Sequence, residues 1–403
     1  MSDLFTRPRF FRDVKFHRHT DRAVAWLELF YDLVYVATFI QIGNFLSSNV
    51  TWLGFGQFLV LLAVVWWAWT GETFYQNRYY VDDIKHRLLV FGQIFAVATL
   101  GLSVNDAFGD LYVQFTIAYV ITRIMLVLMY IRAAKAHPPS RAFTRGYVIG
   151  FSVGIAIWLG SLLLPAAYHW VGWLIGISVE LCVPLLPFIR KHARIWSPDN
   201  HHISERFGIF TIIVLGESFV KILDDAQGTA ISINEILFST VGLIVLYSLW
   251  WLYFSDTAGK LIDFEHFRRS MRWVYGHFPL AAGLIAFGVG AKKLFAANVA
   301  YPADALEPKY RLLYTAAIVL YLFALAGIDL GLENDPIKQS QTKKAVVHLL
   351  SAAVVGVIGL TLVGLTPIQF VGLVAIVMVA QVVYTIIQTE KEDGEETAVP
   401  DFE

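Results

Sequence analysis

The apolar residues of this chain gather into a series of runs, each about 20 residues long, separated by short segments that carry most of the charges. At 1.5 Å of rise per residue, a helix of that length matches the hydrocarbon core of a lipid bilayer. Charged residues make up only 16% of the 403 residues, whereas soluble domains contain about 25%. We therefore predict an all-α, polytopic integral membrane protein.

The positions of the basic residues predict the orientation of the spans. Loops after even-numbered spans are basic, as in RAAKAHPPSRAFTR at 132–145, and loops after odd-numbered spans are nearly free of Lys and Arg, except 292–311. Short basic loops stay in the cytoplasm, so both termini are predicted to be cytoplasmic. The twelve predicted spans are 24–46, 54–77, 86–105, 111–131, 144–163, 170–189, 203–223, 234–257, 272–291, 311–330, 345–364 and 367–388.

A weak internal repeat relates the second span to the eighth. WWAWTGET at 66–73 resembles WWLYFSDT at 250–257, and VFGQ at 90–93 matches VYGH at 274–277 at the same offset. An even number of spans per half gives both halves the same orientation, which predicts two parallel six-helix repeats. The alternative is a chance match in a tryptophan-rich chain.

This repeat divides the chain into four predicted parts. The first six-helix repeat is 23–195 and the second is 196–388. Residues 1–22 form a basic, cytoplasmic N-terminal arm, which either lies along the lipid headgroups or is a disordered tail. The acidic tail 389–403 has few apolar residues, and we predict that it is disordered.

A few ionisable side chains lie inside the predicted spans. A charge near the bilayer centre costs at least about 2.5 kcal/mol, so such residues are expected to face partners or a water-filled cavity. Buried acids and histidines between two repeats are typical of sites for coupling ions or substrates. We predict a proton, cation or substrate site formed by Glu28, Asp32, Glu72, His202, Glu205, Arg206, Glu217, Asp256 and His277.

Glu28 and Asp32 are four residues apart in the first span and share a helix face. Two ionised carboxylates this close repel each other, so either one keeps its proton or a cation lies between them. The alternative is that both are solvated near the cytoplasmic end, or paired with Arg22 or Arg206.

Glu72 and Asp256 follow the tryptophan pairs of the two predicted halves at matching positions. They are interpreted as a pseudo-symmetric pair of acids beside a central path, or as helix-end acids paired with cytoplasmic cations. Mid-span Arg123 also needs an acidic partner, for which Glu180 and Asp329 are candidates.

The seventh and ninth spans supply the remaining candidates. His202, Arg206 and Glu217 lie on one stripe, either along a polar path or in a structural ion pair between helices. His277 precedes Pro279, which leaves a backbone carbonyl without its usual donor. It is interpreted as a proton carrier, a metal ligand or a hydrogen-bonded packing residue.

Three sequence blocks together suggest a family. ELFYDLVYVATFIQIG at 28–43, HISERFGIFTIIVLGES at 202–218 and YGHFPLAAG at 275–283 resemble the bacterial low temperature requirement A (LtrA) family over nearly the whole chain. FYDLVY departs slightly from the family's usual FFDLVF. The resemblance implies a multi-pass protein of the bacterial inner (plasma) membrane, named for a growth phenotype in the cold, without a secure activity. It points to the acids, histidines and arginine of these blocks, and to Arg87.

Together these features favour a proton- or cation-coupled secondary transporter whose small-molecule or ion substrate is unknown. The alternatives are a proton or ion channel, and a membrane-embedded enzyme or cofactor-binding protein that holds zinc or iron through His202, Glu205, Glu217 and His277. An enzyme is less favoured because neither a phosphate-binding glycine loop nor a His-Glu-x-x-His motif occurs. The sequence leaves metal, cofactor and oligomeric state unknown.

Other partners are restricted by charge and cysteine content. A net charge of −1 gives no nucleic-acid-binding footprint. The single cysteine, Cys182, excludes an intrachain disulfide and a cysteine-based metal cage. The predicted partner common to every interpretation is the lipid bilayer.

Overall fold

A computed structural model describes residues 24–79, 81–224, 232–257, 260–332 and 341–398, without the side chains of 222–224, 256 and 391–398. The predicted N-terminal arm lies outside these residues. The described residues form thirteen α-helices and no strand, so the predicted all-α membrane fold is confirmed. The helices are α1 (Trp26–Ser48), α2 (Trp52–Arg78), α3 (Ile84–Ser103), α4 (Tyr112–Ala136), α5 (Arg141–Ser161), α6 (His169–Cys182), α7 (Pro187–Ala193), α8 (Asn200–Asp224), α9 (Ile233–Asp256), α10 (Phe267–Ala300), α11 (Pro308–Asp329), α12 (Gln341–Thr361) and α13 (Pro367–Ala398).

Ten of the described helices are long and apolar enough to cross a bilayer, and α6 with α7 makes an eleventh if that bent pair is one span. The predicted seventh span lies in α8, which has 25 residues but is interrupted by charges. The count of twelve spans therefore stays a prediction.

The sixth predicted span, 170–189, is not a continuous helix. The helical segments His169–Leu185 and Pro187–Ala193 differ in direction by 48°. Pro184 and Pro187 lack the backbone N–H that would continue the hydrogen-bond ladder, and their rings clash with the preceding turn. The bend therefore follows from the two prolines.

Two helices extend beyond their predicted ends. α10 continues to Ala300, well past residue 291 and through part of the predicted loop 292–311. α13 continues to Ala398, into the segment 389–403 that we predicted to be disordered. Glu and Lys, which are frequent after residue 388, are good helix formers even in a polar segment.

The chain forms two compact units, one of 1–45 with 57–206 and the other of 46–56 with 207–403, called unit 1 and unit 2 below. Their boundary lies within α8, whereas the predicted repeats meet at 195/196. In unit 1, α3, α4, α5 and α6 pack in chain order, and the rings of Tyr130 and Tyr147 stack with centroids 5.2 Å apart.

In unit 2, α10 packs closely against α11, and α11 packs against α12. A Cβ added at Gly283 of α10 would lie 2.8 Å from the carbonyl oxygen of Ala317 and 2.9 Å from the amide nitrogen of Tyr321. Glycine is required there because the two backbones meet directly, which is how small residues promote helix packing in membranes.

Candidate functional site: a buried acid cluster in unit 1

An arginine and an aspartate form the centre of the site. Arg206 Nε and Nη2 donate to the two carboxylate oxygens of Asp32, at 3.1 and 2.6 Å. Trp69 Nε1 donates to Asp32 Oδ1 at 2.7 Å. Both charged side chains are fully buried, and two-point contacts of this kind are among the strongest hydrogen bonds in proteins.

Glu28 lies one helical turn before Asp32 and has weaker contacts with cations. Its Oε2 accepts a hydrogen bond from the backbone amide of Ala25 at 2.8 Å. It also lies 3.4 Å from His202 Nε2, and its Oε1 lies 3.7 Å from Arg206 Nη1. Glu28 therefore shares Arg206 with Asp32, which holds the guanidinium at shorter range.

Glu72 on α2 is the third buried acid, and neutral amides hold both of its oxygens. Gln76 Nε2 donates to Oε1 at 2.8 Å and Gln93 Nε2 donates to Oε2 at 3.0 Å. Gln76 also accepts a hydrogen bond from Arg206 Nη1 at 3.3 Å. A hydrogen-bonded path thus runs from Asp32 through Arg206 and Gln76 to Glu72.

The side-chain amide of Asn77 orients the imidazole of His202. The Asp199 amide donates to Asn77 Oδ1 at 2.7 Å, which orients the Asn77 amide so that its nitrogen faces His202 Nδ1 at 3.1 Å. Nδ1 is therefore the acceptor, and the proton of a neutral ring lies on Nε2, facing Glu28. Asp199 also accepts from the His202 amide at 3.0 Å, which caps the start of α8.

These contacts unite five of the nine predicted residues. Glu28, Asp32, Glu72, His202 and Arg206, called the acid cluster below, all belong to unit 1 and are all buried. Three carboxyl groups thus meet one guanidinium and one imidazole. Of the two interpretations of Glu28 and Asp32, pairing with Arg206 agrees with the geometry.

Three of the other predicted residues are placed elsewhere. Glu205 is exposed on α8. Glu217 is largely buried in unit 2, with Oε1 3.5 Å from Lys221 Nζ on the same helix. The side chain of Asp256 lies outside the described residues.

His277 in unit 2 is a fully buried, hydrogen-bonded residue. Its Nδ1 lies 2.7 Å from the carbonyl oxygen of Trp273, and its Nε2 lies 3.0 Å from the Tyr253 hydroxyl. A carbonyl only accepts, so Nδ1 carries a proton, and the hydroxyl can serve Nε2 in the neutral ring. The imidazole of His277 also lies against the ring of Phe207 on α8. Phe207 and Glu217 are separated by roughly 15 Å along that helix, so His277 is placed well away from Glu217.

The metal-site alternative finds no support in this geometry. Among the described residues, no group of three or more His, Cys, Asp or Glu side chains is arranged to hold a metal ion. His202 faces Glu28, Glu205 is exposed and His277 bonds to Tyr253.

Several polar residues of unit 1 were missed by the sequence analysis. These residues are neutral, and the cost of burying a charge therefore does not identify them as candidates. They are Trp69, Gln76, Asn77 and Gln93. Two signals were available, since Gln76 lies one turn after Glu72 and Gln93 ends the VFGQ block.

Two buried pairs lie outside the acid cluster. Arg123 Nε lies 2.7 Å from Glu180 Oε2, and Tyr119 bonds to both side chains, so Glu180 is the partner of Arg123. Asp329, the other candidate, instead lies in unit 2 with its Oδ2 3.1 Å from His348 Nε2. His348 was not among the residues predicted from the sequence.

The chain is similar to a known protein family and to a protein of a known organism. The family model described as bacterial low temperature requirement A protein (LtrA) matches residues 23–383. The chain is also similar to an uncharacterized protein of Rhizobium meliloti (strain 1021), with 26% identity over 299 residues that cover 68% of this chain and 70% of that protein.

Proposed function

This chain belongs to the bacterial low temperature requirement A (LtrA) family of membrane proteins, and we propose that it is a proton- or cation-coupled secondary transporter. The acid cluster of unit 1 is its coupling site. The substrate is a small molecule or ion that enters the bundle from one side of the bacterial inner membrane. The basic loops favour cytoplasmic termini.

The observation that carries the proposal is the environment of Glu72. Its side chain is fully buried, its oxygens contact amide donors, and no cationic group lies within ion-pairing distance of it in the described part of the chain. An isolated ionised carboxylate is costly in such surroundings. A bound proton or a small cation removes that cost.

The charges of Asp32 and Glu72 support the same assignment. Both carry a negative charge when ionised, and Arg206 neutralises Asp32 through a two-point contact. Glu72 contacts the neutral amides of Gln76 and Gln93 instead, so a bound proton or small cation supplies the positive charge that this end of the cluster lacks.

The hydrogen-bonded path supplies a means of coupling. A proton arriving at Glu72 changes the charge at one end of the path through Gln76 to Arg206. The Arg206 guanidinium then moves relative to Asp32 and Glu28, so that its distances to their carboxyl groups change. An ion that favours one of two arrangements shifts the population between them, which is what coupling requires.

The proposal includes two six-span repeats of parallel orientation, supported by the WWAWTGET and WWLYFSDT blocks. In transporters of this type, the substrate binds near the midplane and the two repeats rock about it.

The test is uptake into proteoliposomes under an imposed pH gradient, with a metabolite panel. The wild type should accumulate a solute when the gradient is present. Glu72→Gln, which imitates the protonated acid, should retain exchange of that solute and lose gradient-driven accumulation. Glu265→Gln, at an exposed acid in the loop before α10, is the matched control and should behave as wild type.

Two results would contradict the proposal. Gradient-driven accumulation that persists in Glu72→Gln would exclude Glu72 as the coupling acid. Proton flux that needs no solute would indicate a proton channel instead.

A further inference from the structure

Unit 1 has an open apolar groove of about 810 Å³ between α5, the end of α6 and α7. We call it the α5–α7 groove. It exists because α6 ends at Cys182 and the chain bends by 48° before α7. Its lining is mostly apolar and includes Arg145, Ile149, Val153, Cys182, Leu186 and Phe188.

The floor of the groove is tightly packed. A Cβ added at Gly150 would lie 2.5 Å from Val183 Cγ2, and one at Gly146 would lie 2.9 Å from Ile189 Cγ1. These two glycines let α5 approach the bent segment closely. The groove is therefore a fixed feature of the fold and not a gap between loosely packed helices.

The sides of the groove present apolar side chains outward. Ile149 is 54% exposed, Val153 46%, Leu186 48% and Phe188 52%. On a water-facing surface such a patch would mark a binding site. On a membrane protein it is a surface that hydrocarbon chains cover.

One end of the groove is strongly basic. Arg141 and Arg145 lie in the first turns of α5, Lys191 lies in the last turn of α7, and Arg194 follows that helix, all of them exposed. The only acid in the segment 132–194 is Glu180, which is buried against Arg123. This end therefore offers several cations to a ligand with few local acids to compete.

We propose that the α5–α7 groove binds an anionic phospholipid. An acyl chain lies along Ile149 and Val153, and the phosphate lies near Arg145 and the basic end of α7. Basic pockets between membrane helices recognise anionic headgroups in this way. The apolar groove and the basic end each contribute, so the site distinguishes a phospholipid from a soluble anion.

Native mass spectrometry of the purified full-length protein tests this proposal. The protein is titrated with phosphatidylglycerol, and separately with phosphatidylcholine of the same chain lengths. We expect phosphatidylglycerol to remain bound at lower concentration. Each Lys or Arg near a headgroup strengthens binding about fivefold, so Arg145→Gln and Lys191→Gln should each weaken retention by about that factor.

A second variant tests the groove itself. Ile149→Trp adds bulk to the lining at an exposed position that the folded core does not need, and it should reduce retention although every cation remains. Arg272→Gln is the control, because Arg272 is an exposed arginine of α10 in unit 2 and does not line the groove. It should leave lipid binding unchanged.

Elution volume and melting temperature confirm that each variant is folded, and Val153→Trp replaces Ile149→Trp if the latter unfolds. Equal retention of the two lipids would overturn the proposal, as would retention that Ile149→Trp does not alter. A dimer that Ile149→Trp dissociates would also overturn it, because a second copy would then cover the groove.

Discussion

Arg206 and Asp32 form a two-point ion pair between α8 and α1, with donor–acceptor distances of 3.1 and 2.6 Å. The pair is fully buried, so each charge depends on the other for stability. Asp32 also accepts the two shortest hydrogen bonds of the Arg206 guanidinium, from Nε and Nη2. The Glu72 carboxyl group contacts the neutral amides of Gln76 and Gln93 instead, and the proposed proton-binding role of Glu72 rests on this difference from Asp32.

Removing the arginine should destabilise unit 1 strongly. Arg206→Gln leaves the Asp32 carboxylate buried without its cation, a change that costs roughly 3–5 kcal/mol. We expect a large fall in melting temperature of the protein in nanodiscs. Asp32→Asn combined with Arg206→Gln should recover much of the loss, because no unpaired charge remains. A double variant as unstable as Arg206→Gln alone would contradict this explanation.

The Arg123–Glu180 pair should be important for stability alone. Glu180→Gln leaves the buried Arg123 without a counter-charge and should cost roughly 3–5 kcal/mol. Replacing both residues by Met is expected to restore stability to near the wild-type value, since apolar groups of similar size often substitute for a buried ion pair. The double variant should also retain uptake in proteoliposomes. Loss of uptake by a stable double variant would give this pair a functional role.

A single methyl group should disturb the contact between α10 and α11. Gly283→Ala places a Cβ within 2.8 Å of a carbonyl oxygen and 2.9 Å of an amide nitrogen of α11, and backbone atoms cannot move aside. Overpacking of this kind costs about 1–3 kcal/mol. Gly327→Ala is the control, because no atom lies within 4 Å of a Cβ added there. Melting temperatures should fall for the first variant and stay equal or rise for the second.

The loop before α10 should show a pH-dependent contribution to stability. Burial raises the pKa of Asp263, but hydrogen bonds from His266 and Arg269 outweigh burial and hold the pKa below its ordinary value. A carboxyl with a depressed pKa stabilises the fold above its unfolded pKa of about 3.9. That contribution is lost as the pH falls through the folded pKa.

Asp263→Asn should therefore cost about 1.5–3 kcal/mol at neutral pH, the value of hydrogen bonds to a charged group. The difference in melting temperature between variant and wild type should shrink at acid pH. A difference that is the same at pH 7 and at acid pH would show that the charge of Asp263 is not the cause.

Much of the architecture follows from the sequence because hydrocarbon imposes simple rules. Apolar runs become helices, since a backbone in lipid must satisfy its own hydrogen bonds. Buried charges find partners, which is why Arg206 was a predicted partner of Asp32, and Glu180 of Arg123. The same rule located the acid cluster.

Other features depend on partners that carry no charge. The hydrogen bonds from Gln76 and Gln93 to Glu72 could not be predicted from the positions of charged residues, because both glutamines are neutral. His277 finds a hydroxyl and a carbonyl, which no spacing in the sequence predicts. α10 continues through Lys292 and Lys293 because lysine stems can lie along apolar surface while their ammonium groups reach water.

Because Cys182 is the chain's only thiol and lies on the wall of the α5–α7 groove, the native protein carries its own chemical reporter. The Cys182 side chain is exposed, and a lipid that fills the groove would keep a water-borne reagent away from its sulfur. The rate at which a maleimide modifies the unaltered protein will thus register how dry its surroundings are, without an engineered label.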